Sequence, residues 1–549
     1  MKRSLLIMLA ACSAAPRVPQ ARFANAPAVT VVNDRNDVPS KPSVRLFLED
    51  VYQFDGLVTR RWVRGMELHP RSRALGVNAL DEVPDSTWFT NRIGSRDLSI
   101  AEILKGPNQL DSPEHHKPWT VKSTKMGGAE VGFLVVDSRG EKFLLKFDTP
   151  GVPEQETGAH VITQRLLWAC GYNVPEDYLV HIRSDELVLA PDAYVRDSEA
   201  DSPRPLTRAE LERRLARIES DGHGGFRAIA SHYLSGKPIG GHPAEGVRED
   251  DPNDRIAHER RRDLRGLYAI AAWLDHADIM EGNFLDMWMT DPADPRRHYV
   301  KHYLIDFGKS LGVMATTAAD PRRGYEYWVD WAQLGWSLVT AGAYERQWEQ
   351  RRAPEIRGVG LYDAASFEPG HFRPTSAGYI PFTTADRFDA FWATKILIRF
   401  TREQLHAVVE AAQYTDPRAT AYITDTLVAR QRATAAYWFA RVNPLDRFSV
   451  EHGTLCFDDL ALRYGITNQP TSYQVTSFDR DGTQLATGRV ATGFAGHTCT
   501  GALTIASDRD AYTILEVKTL RPEVAGSTMV HLARDRASGE LRVIGIWRP

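Results

Sequence analysis

Three short apolar segments, separated by turn residues, form the most regular pattern in the chain. They cover residues 119–124, 131–136 and 142–147, with glycines between the first two and Ser138-Arg-Gly140 between the last two. Apolar runs of this length bounded by turn residues predict a sheet of consecutive strands. From residue 156 to 170 the apolar positions recur at helical spacing, and Gly171 follows them. The third strand is therefore expected to lead into an amphipathic helix.

The pattern changes further along the chain. An apolar helix is predicted over residues 263–274, followed by strands at 283–289 and 299–305 around an Asp- and Pro-rich turn. Longer helical patterns occupy residues 328–349, 388–414 and 419–442. From Leu455 onward, short alternating segments punctuated by Gly, Asp and Pro predict an all-β domain.

These changes define the expected organisation of the chain, whose predicted fold class is α+β. A length of 549 residues is enough for two or three domains. The expected segments are a signal peptide and lipobox (1–12), a flexible tether (13–43), an N-terminal extension (44–114), a sheet-rich small lobe (115–236), a helical large lobe (237–445) and a C-terminal β domain (446–549).

Candidate chemistry is concentrated around the predicted hairpin. His276 and Asp278 precede it, Asn283 begins it, and Asp306-Phe307-Gly308 follows it. The order H-x-D-x-x-x-x-N and then D-F-G resembles the catalytic loop and metal-binding turn of protein-kinase-like enzymes. The resemblance implies that Asp278 is the base, and that Asn283 and Asp306 hold magnesium against the nucleotide phosphates.

Such an enzyme also needs upstream groups that hold the phosphates. Lys146 follows two leucines in the third predicted strand, as the nucleotide lysine does in kinases, with Lys142 as the second choice. Its carboxylate partner would be Glu156, with Glu154 as the alternative. Gly127 and Gly128 are the candidate phosphate turn, although with Gly132 they do not form G-x-G-x-x-G and could be an ordinary hairpin turn.

Together these residues resemble the atypical kinase-like proteins of the HipA and spore-coat CotH type. The whole chain is also similar to a group of uncharacterised bacterial exported lipoproteins. The resemblance covers roughly residues 115–440 and implies a bilobed protein-kinase-like fold that uses ATP and Mg. Two departures concern substrate and regulation: Ala277 replaces the Arg of H-R-D, and Met280 replaces a lysine that often steers the acceptor.

The charge of the chain excludes one class of partner. The formal net charge is −4 and the sequence pI is about 6.5, so nothing indicates a nucleic-acid-binding surface. The short basic run at Arg260, Arg261 and Arg262 is interpreted as the solvated face of a helix.

The N-terminus carries a targeting signal. Lys2 and Arg3 precede a short apolar core, and Leu9-Ala-Ala-Cys12 resembles the bacterial lipoprotein box. We expect lipid on Cys12 to anchor the chain to the cell envelope, with Ser13 resembling the signal for outer-membrane sorting. An ordinary signal peptide is the alternative.

The other cysteines and the histidines give weaker expectations. Cys456 and Cys499 could form a disulfide in an oxidising compartment, whereas Cys170 is expected to be a buried thiol. His298 and His302 lie four apart on one face of a predicted strand and are interpreted as surface residues, with a metal site left open.

Three functions compete. The first is an envelope-anchored phosphotransferase that uses Mg-ATP on an unknown acceptor, and the second is a pseudokinase scaffold without catalysis that binds a protein partner. The third is a metal-dependent hydrolase with Asp275, Asp278 and Asp306 as ligands, but no motif of the H-x-x-E-H kind accompanies them.

Overall fold

A computed structural model describes residues 21–60, 72–125, 130–196, 204–221, 224–314, 320–375 and 378–549. Among these residues the chain forms two compact units. The larger comprises Val29–Asn78 and Glu82–Trp438, and the smaller comprises residues 21–28, Ala79–Asp81 and Phe439–Pro549. Helices and sheets are both present, so the α+β class is confirmed. The six segment boundaries stay predictions.

The elements follow in chain order. The strands are β1 Trp119–Thr124, β2 Gly132–Val136, β3 Lys142–Phe147, β4 Asp177–Arg183, β5 Leu187–Val195, β6 Arg204–Pro205, β7 Gly225–His232, β8 Lys237–Pro238, β9 Phe284–Asp291, β10 Asp294–Leu304, β11 Leu445–Glu451, β12 Thr454–Asp459, β13 Ser472–Phe478, β14 Gln484–Ala491, β15 His497–Cys499, β16 Thr513–Leu520, β17 Thr528–Arg534 and β18 Leu541–Trp547. The α-helices are Glu49–Phe54, Ile100–Lys105, Gln155–Cys170, Arg208–Leu215, Arg262–Leu274, Trp331–Val339, Ile380–Thr384, Arg387–Leu397, Arg402–Glu410, Pro417–Arg441 and Leu460–Arg463. A π-helical turn covers Asp55–Thr59, and 3₁₀ turns cover Pro113–His115, Ser184–Glu186, His258–Arg260, Glu281–Asn283 and Phe494–Gly496.

The three predicted strands form the centre of a seven-stranded sheet with the order β4-β7-β3-β2-β1-β5-β6. Burial alternates along β3, so Phe143, Leu145 and Phe147 face an apolar core, whereas Lys142 and Lys146 face the other side. This alternation explains why a lysine is tolerated inside a central strand. The first requirement of the Lys146 assignment, a polar side of the sheet, is therefore met.

The predicted helix is Gln155–Cys170, and almost all of its side chains are buried. It ends at Gly171, whose φ of 127° is unfavourable for residues with a side chain. A Cβ at that position would also lie 2.2 Å from the ring of Phe89. Both the backbone and the packing therefore require glycine at the point where this helix stops.

The predicted hairpin is β9–β10, which adds β8 to form a three-stranded sheet. The backbone N–H of Ile305 donates to the carbonyl of Asn283 at 3.0 Å, so the two ends of the hairpin meet at its base. The fully buried helix Arg262–Leu274 ends at Asp275, which has a left-handed φ of 48°. The His276–Asn283 loop follows this helix and leads to the base of the hairpin.

Two helical predictions were too long. Within residues 328–349 only Trp331–Val339 is helical, and the pattern over 388–414 divides into Arg387–Leu397 and Arg402–Glu410. Thr401 caps the second of these helices with its hydroxyl, which accepts from the backbone of Gln404. A local cap therefore interrupts an apolar pattern that the sequence alone presents as continuous.

Other expectations based on surface exposure were also wrong. Arg261 and Arg262 are buried, and the guanidinium of Arg262 pairs with Asp389 at 2.8 Å. The expected tether is not free along its whole length. The carboxylate of Asp34 accepts from Thr87 at 2.7 Å, and Val38 is buried. Burying an isolated charge is unfavourable, and the ion pair with Asp389 offsets that cost for Arg262.

The smaller unit contains a five-stranded antiparallel sheet, β14-β13-β16-β17-β18, and a three-stranded sheet, β11-β12-β15. Cys456 and Cys499 are directly opposite each other on β12 and β15 and form a disulfide, which the sequence had left open. Cys170 is a buried free thiol, as predicted. Of the described helices, none combines the length and apolar character required to cross a bilayer.

Candidate active site

The side chains of Lys146 and Asp306 meet directly. Nζ of Lys146 donates to Oδ1 of Asp306 at 2.9 Å, joining β3 to the turn that follows β10. Both side chains are only partly exposed, at 16% and 30%. The expected Lys146–Glu156 ion pair is not formed, because Lys146 uses the more distant carboxylate.

The pKa values of this pair reflect its partly buried environment. Burial by itself would raise the pKa of Asp306, but the ammonium of Lys146 outweighs it and lowers the pKa well below its usual range. Burial would likewise lower the pKa of Lys146, yet Asp306 raises it. Both groups are therefore charged at neutral pH.

Glu156 lies in the same pocket but is protonated. Burial, reinforced by the nearby carboxylate of Glu130, raises its pKa to about 8. Its Oε1 accepts from the hydroxyl of Thr149 at 2.5 Å. A Cβ added at Gly308 would lie 3.9 Å from its Oε2, so Glu156 borders the D-F-G turn.

Glu154, the alternative to Glu156, has a different role. Its Oε1 accepts from the guanidinium of Arg357 at 2.9 Å and from the hydroxyl of Thr415 at 2.6 Å. It holds together segments outside the pocket. The structure therefore separates two glutamates that the sequence could only rank.

Three further charged residues belong to this cluster and were missed by sequence reasoning. Nζ of Lys309 lies 3.4 Å from Oδ2 of Asp278 and 3.9 Å from Glu130, and Lys125 lies 3.4 Å from Glu130. Lys309 follows the D-F-G turn directly in the sequence, and this position could have identified it as a candidate site residue. The ammonium of Lys309 therefore places beside Asp278 a positive charge that Met280, which replaces the usual lysine, does not provide.

The amide of Asn283 is oriented by the catalytic loop itself. Its Nδ2 donates to the backbone carbonyl of Asp278 in a short hydrogen bond. This bond occupies the donor side of the amide, so its oxygen is the group left to act as a ligand. Asp278 and Asn283 are both largely buried. The structure thus brings Asp278, Asn283, Asp306 and Lys146 to the base of one hairpin.

The aromatic residue of the D-F-G turn fixes the position of Asp306. Phe307 is fully buried, and its ring lies 5.2 Å from that of His160 and 6.2 Å from that of His276. The hydroxyl of Ser310 donates to the carbonyl of Phe307 at 2.8 Å and meets Thr163 at 2.6 Å. Packing and hydrogen bonds therefore attach this turn to the helix Gln155–Cys170.

Arg323 places a buried positive charge near the His276–Asn283 loop, in which Ala277 carries none. It is buried and donates to the backbone carbonyls of Val313 and Lys309, close enough to Asp278 and Asp275 to interact with both charges. The backbone of Ala277 itself accepts from the N–H of Thr375 at 2.7 Å. The loop is thus held by side chains that do not belong to the motif.

Some predicted site residues cannot be assessed from this geometry. Gly127, Gly128 and the lipidation candidate Cys12 lie outside the described residues. The described residue Gly132 pairs with Lys146 across β2 and β3.

A cavity of about 970 Å³ lies along the segment that supports the catalytic loop. It is bordered by residues on both sides of the Gly324–Arg373 bridge, and Thr375, two residues beyond Arg373, bonds to Ala277. Its aromatic and cationic lining includes Tyr268, Tyr325, Tyr327, Arg346, Trp348 and Arg373.

Comparisons with known proteins leave the family open. No protein-family model and no curated protein matches the chain. Among solved structures, the chain is similar to the Golgi casein kinase crystallised with Mn and ADP. The similarity covers 62% of this chain and 74% of that chain, with 10% sequence identity and a TM-score of 0.31.

Proposed function

We propose that the larger unit is a kinase-like domain that binds a magnesium nucleotide and transfers its terminal phosphoryl group to a hydroxyl acceptor. The observation that carries this proposal is the convergence of Lys146, Asp306, Asn283 and Asp278 at the base of the β9–β10 hairpin. Phosphoryl transfer needs these groups because its catalysis rests on positioning and charge stabilisation.

Each residue has a role that its contacts support. Lys146 neutralises phosphate charge, and Asp306 with the amide oxygen of Asn283 binds Mg²⁺, which prefers oxygen ligands. Asp278 accepts the proton of the acceptor hydroxyl. Lys309, 3.4 Å from Asp278, neutralises charge on the acceptor side. A metal ion held by Asp306 and Asn283 would supply positive charge that offsets the charge of the phosphates.

The arrangement also implies an exchange of partners. Asp306 is paired with Lys146, so its Oδ1 is shared with an ammonium. A phosphate group would compete for Lys146 and thereby free Asp306 for the metal.

The test is nucleotide binding by titration calorimetry with ADP or ATP, with and without Mg²⁺. Wild-type protein should bind more tightly with Mg²⁺, and Asp306→Asn should lose that dependence because a hard-cation ligand is removed. Asp294→Asn is the matched control, since Asp294 lies on the same hairpin but pairs only with the exposed Arg296. Equal affinity with and without Mg²⁺ in wild-type protein would reject the proposal.

A nucleotide-binding scaffold without catalysis is the second candidate. It is favoured by the direct Lys146–Asp306 pair and by the neutral Glu156, which do not form the Lys–Glu pair that active kinases need. Nucleotide binding without any transferase or ATPase turnover would support the scaffold. Turnover that depends on Asp278 would support the enzyme.

The acceptor is proposed to approach through the cavity beside the catalytic loop. Its volume of about 970 Å³ is ample for a sizeable ligand, and its lining combines aromatic rings with guanidinium groups. We therefore favour an acceptor with both polar groups and ring or planar surfaces over a small aliphatic alcohol.

We also propose that Cys12 carries lipid and anchors the protein in the cell envelope, at the outer membrane. The Cys456–Cys499 disulfide supports an oxidising compartment. Membrane fractionation of wild-type protein and Cys12→Ser is the test. Equal membrane association of the two forms would reject the lipid anchor.

A further inference from the structure

The middle of the β9–β10 hairpin carries a second polar cluster, separate from the nucleotide residues. Asp286 on β9 and His302 on β10 are directly opposite each other, and Oδ1 of Asp286 lies 2.7 Å from Nδ1 of His302. His242 reaches them from the segment after β8, its Nδ1 3.8 Å from the same Oδ1. All three residues are buried, and their ligand atoms lie within 4.8 Å of one another.

We propose that His242, Asp286 and His302 form a binding site for a divalent transition-metal ion of the zinc class. Two imidazole nitrogens and one carboxylate oxygen are a donor set that suits such ions. Mg²⁺ prefers oxygen ligands, so this site differs in chemistry from the proposed nucleotide site. Water would complete the coordination.

The strongest observation is an unused nitrogen. Nδ1 of His242 is buried and has no hydrogen-bond partner among the described residues, although it faces the Asp286 carboxylate. A buried polar atom without a partner costs free energy, and native structures contain few of them. A metal ion placed among the three donors would use the lone pair of this nitrogen.

The other polar side-chain atoms of His242 and Asp286 contact neighbouring side chains. Nε2 of His242 lies 3.4 Å from the hydroxyl of Tyr379, and Oδ2 of Asp286 accepts from Arg248 at 3.3 Å. Metal-binding histidines and carboxylates are typically oriented by such outer contacts. Trp88 stacks on the ring of His302 at 3.4 Å and restricts its rotation. The three donors therefore share one centre and are held there from outside.

The first experiment needs no variant. Full-length protein is stripped with a chelator under non-reducing conditions, dialysed, and titrated with Zn²⁺ and with Co²⁺. We expect one Zn²⁺ per chain, a higher Tm with zinc, and visible cobalt bands without a thiolate-to-metal charge-transfer band. A thiolate band would instead assign the metal to Cys456, Cys499 and His497, the other group of suitable donors, and would overturn the proposal.

Variants then locate the metal. His242→Gln should fold, because the polar contacts it loses are long, 3.8 Å to Asp286 and 3.4 Å to Tyr379. It should bind zinc at least tenfold more weakly, as ligand loss exceeds the cost of losing an outer contact. Asp286→Asn should do the same if it folds. Two control variants should keep the zinc. His298→Gln changes a histidine that lies on β10 with His302 but stacks on Trp288, and Asp306→Asn changes a residue of the proposed nucleotide site.

Two results would overturn the site. Equal zinc content in wild-type protein and His242→Gln would indicate an adventitious ion only. No zinc or cobalt binding to stripped wild-type protein that remains folded would show that the cluster is a hydrogen-bond network alone. Neither result depends on nucleotide binding, so the proposed kinase-like function is tested separately.

Discussion

The base and the middle of the β9–β10 hairpin bear similar residue types but differ in their access to solvent. At the base, the Lys146 and Asp306 side chains are 16% and 30% exposed. In the middle, Asp286 is completely buried and His302 nearly so. Both places contain a carboxylate paired with a nitrogen group, at 2.9 Å and 2.7 Å respectively.

This difference separates exchangeable contacts from permanent ones. Partly exposed ion pairs contribute little net stability, because water stabilises the separated charges almost as well. The base can therefore exchange its partners for a ligand at little cost. The buried carboxylate of Asp286 depends on Arg248 and His302, since an unpaired charge there would be very unfavourable. The two places should consequently respond differently to the same change from aspartate to asparagine.

The largest effect is expected for Asp278→Asn on turnover. Loss of a general base lowers kcat by about a hundred- to ten-thousand-fold, whereas the Kd of the magnesium nucleotide should change little. Single-turnover transfer or ATPase assays and calorimetry measure the two quantities. Asp294→Asn is the control on the same hairpin, and unchanged kcat in Asp278→Asn would remove this residue from the mechanism.

The next largest effect is expected for Asp286→Asn on stability. The variant removes one of the two carboxylates that pair with the buried guanidinium of Arg248, the other being Asp250, and should cost up to about 3–5 kcal/mol of the free energy of unfolding. Urea unfolding measures it, with Asp294→Asn expected to stay within about 0.5 kcal/mol of wild type. Equal stability of the two variants would show that the buried contacts of Asp286 do not stabilise the fold more than the exposed pair of Asp294 does.

A smaller effect, dependent on pH, is expected at Glu156. Its folded-state pKa of about 8 exceeds the ordinary 4.5, so the folded protein keeps a proton that the unfolded chain releases. The free energy of unfolding should therefore fall as the pH rises from about 4.5 to 8, by a few kcal/mol at most. Glu156→Gln cannot release a proton and should flatten this dependence. Unfolding curves of both proteins across that pH range test the sign, and parallel curves would contradict the raised pKa.

The smallest effect is expected for Gly308→Ala. A methyl group there would lie 3.7 Å from Cβ of Glu156, which is an ordinary contact distance. Stability and nucleotide affinity should each change by less than about 1 kcal/mol. A larger loss of affinity without loss of stability would mean that the turn moves when ligand binds, and would sharpen the contrast with the rigid middle of the hairpin.

Much of the secondary structure near the site was predictable because the signals are local. The alternation in β3 and the apolar spacing before Gly171 identify a strand and a helix from neighbouring residues alone. The Asp278, Asn283 and Asp306 motif was also visible, since the helix Arg262–Leu274 and the hairpin keep its residues close in sequence. The helix endings at Leu397 and Val339 were missed because apolar residues continue beyond them.

Partners and burial were decided only by the tertiary structure. Lys146 pairs with Asp306, 160 residues away, although Glu156 is close in sequence. In this arrangement burial raises the pKa of Glu156 to about 8, whereas Lys146 lowers that of Asp306. Arg262 and His302 are buried because Asp389 and Asp286 meet them across the fold. A sequence pattern reports which residues share a face. The protonation state and partner of a charged group depend on desolvation and on charges brought together by distant segments.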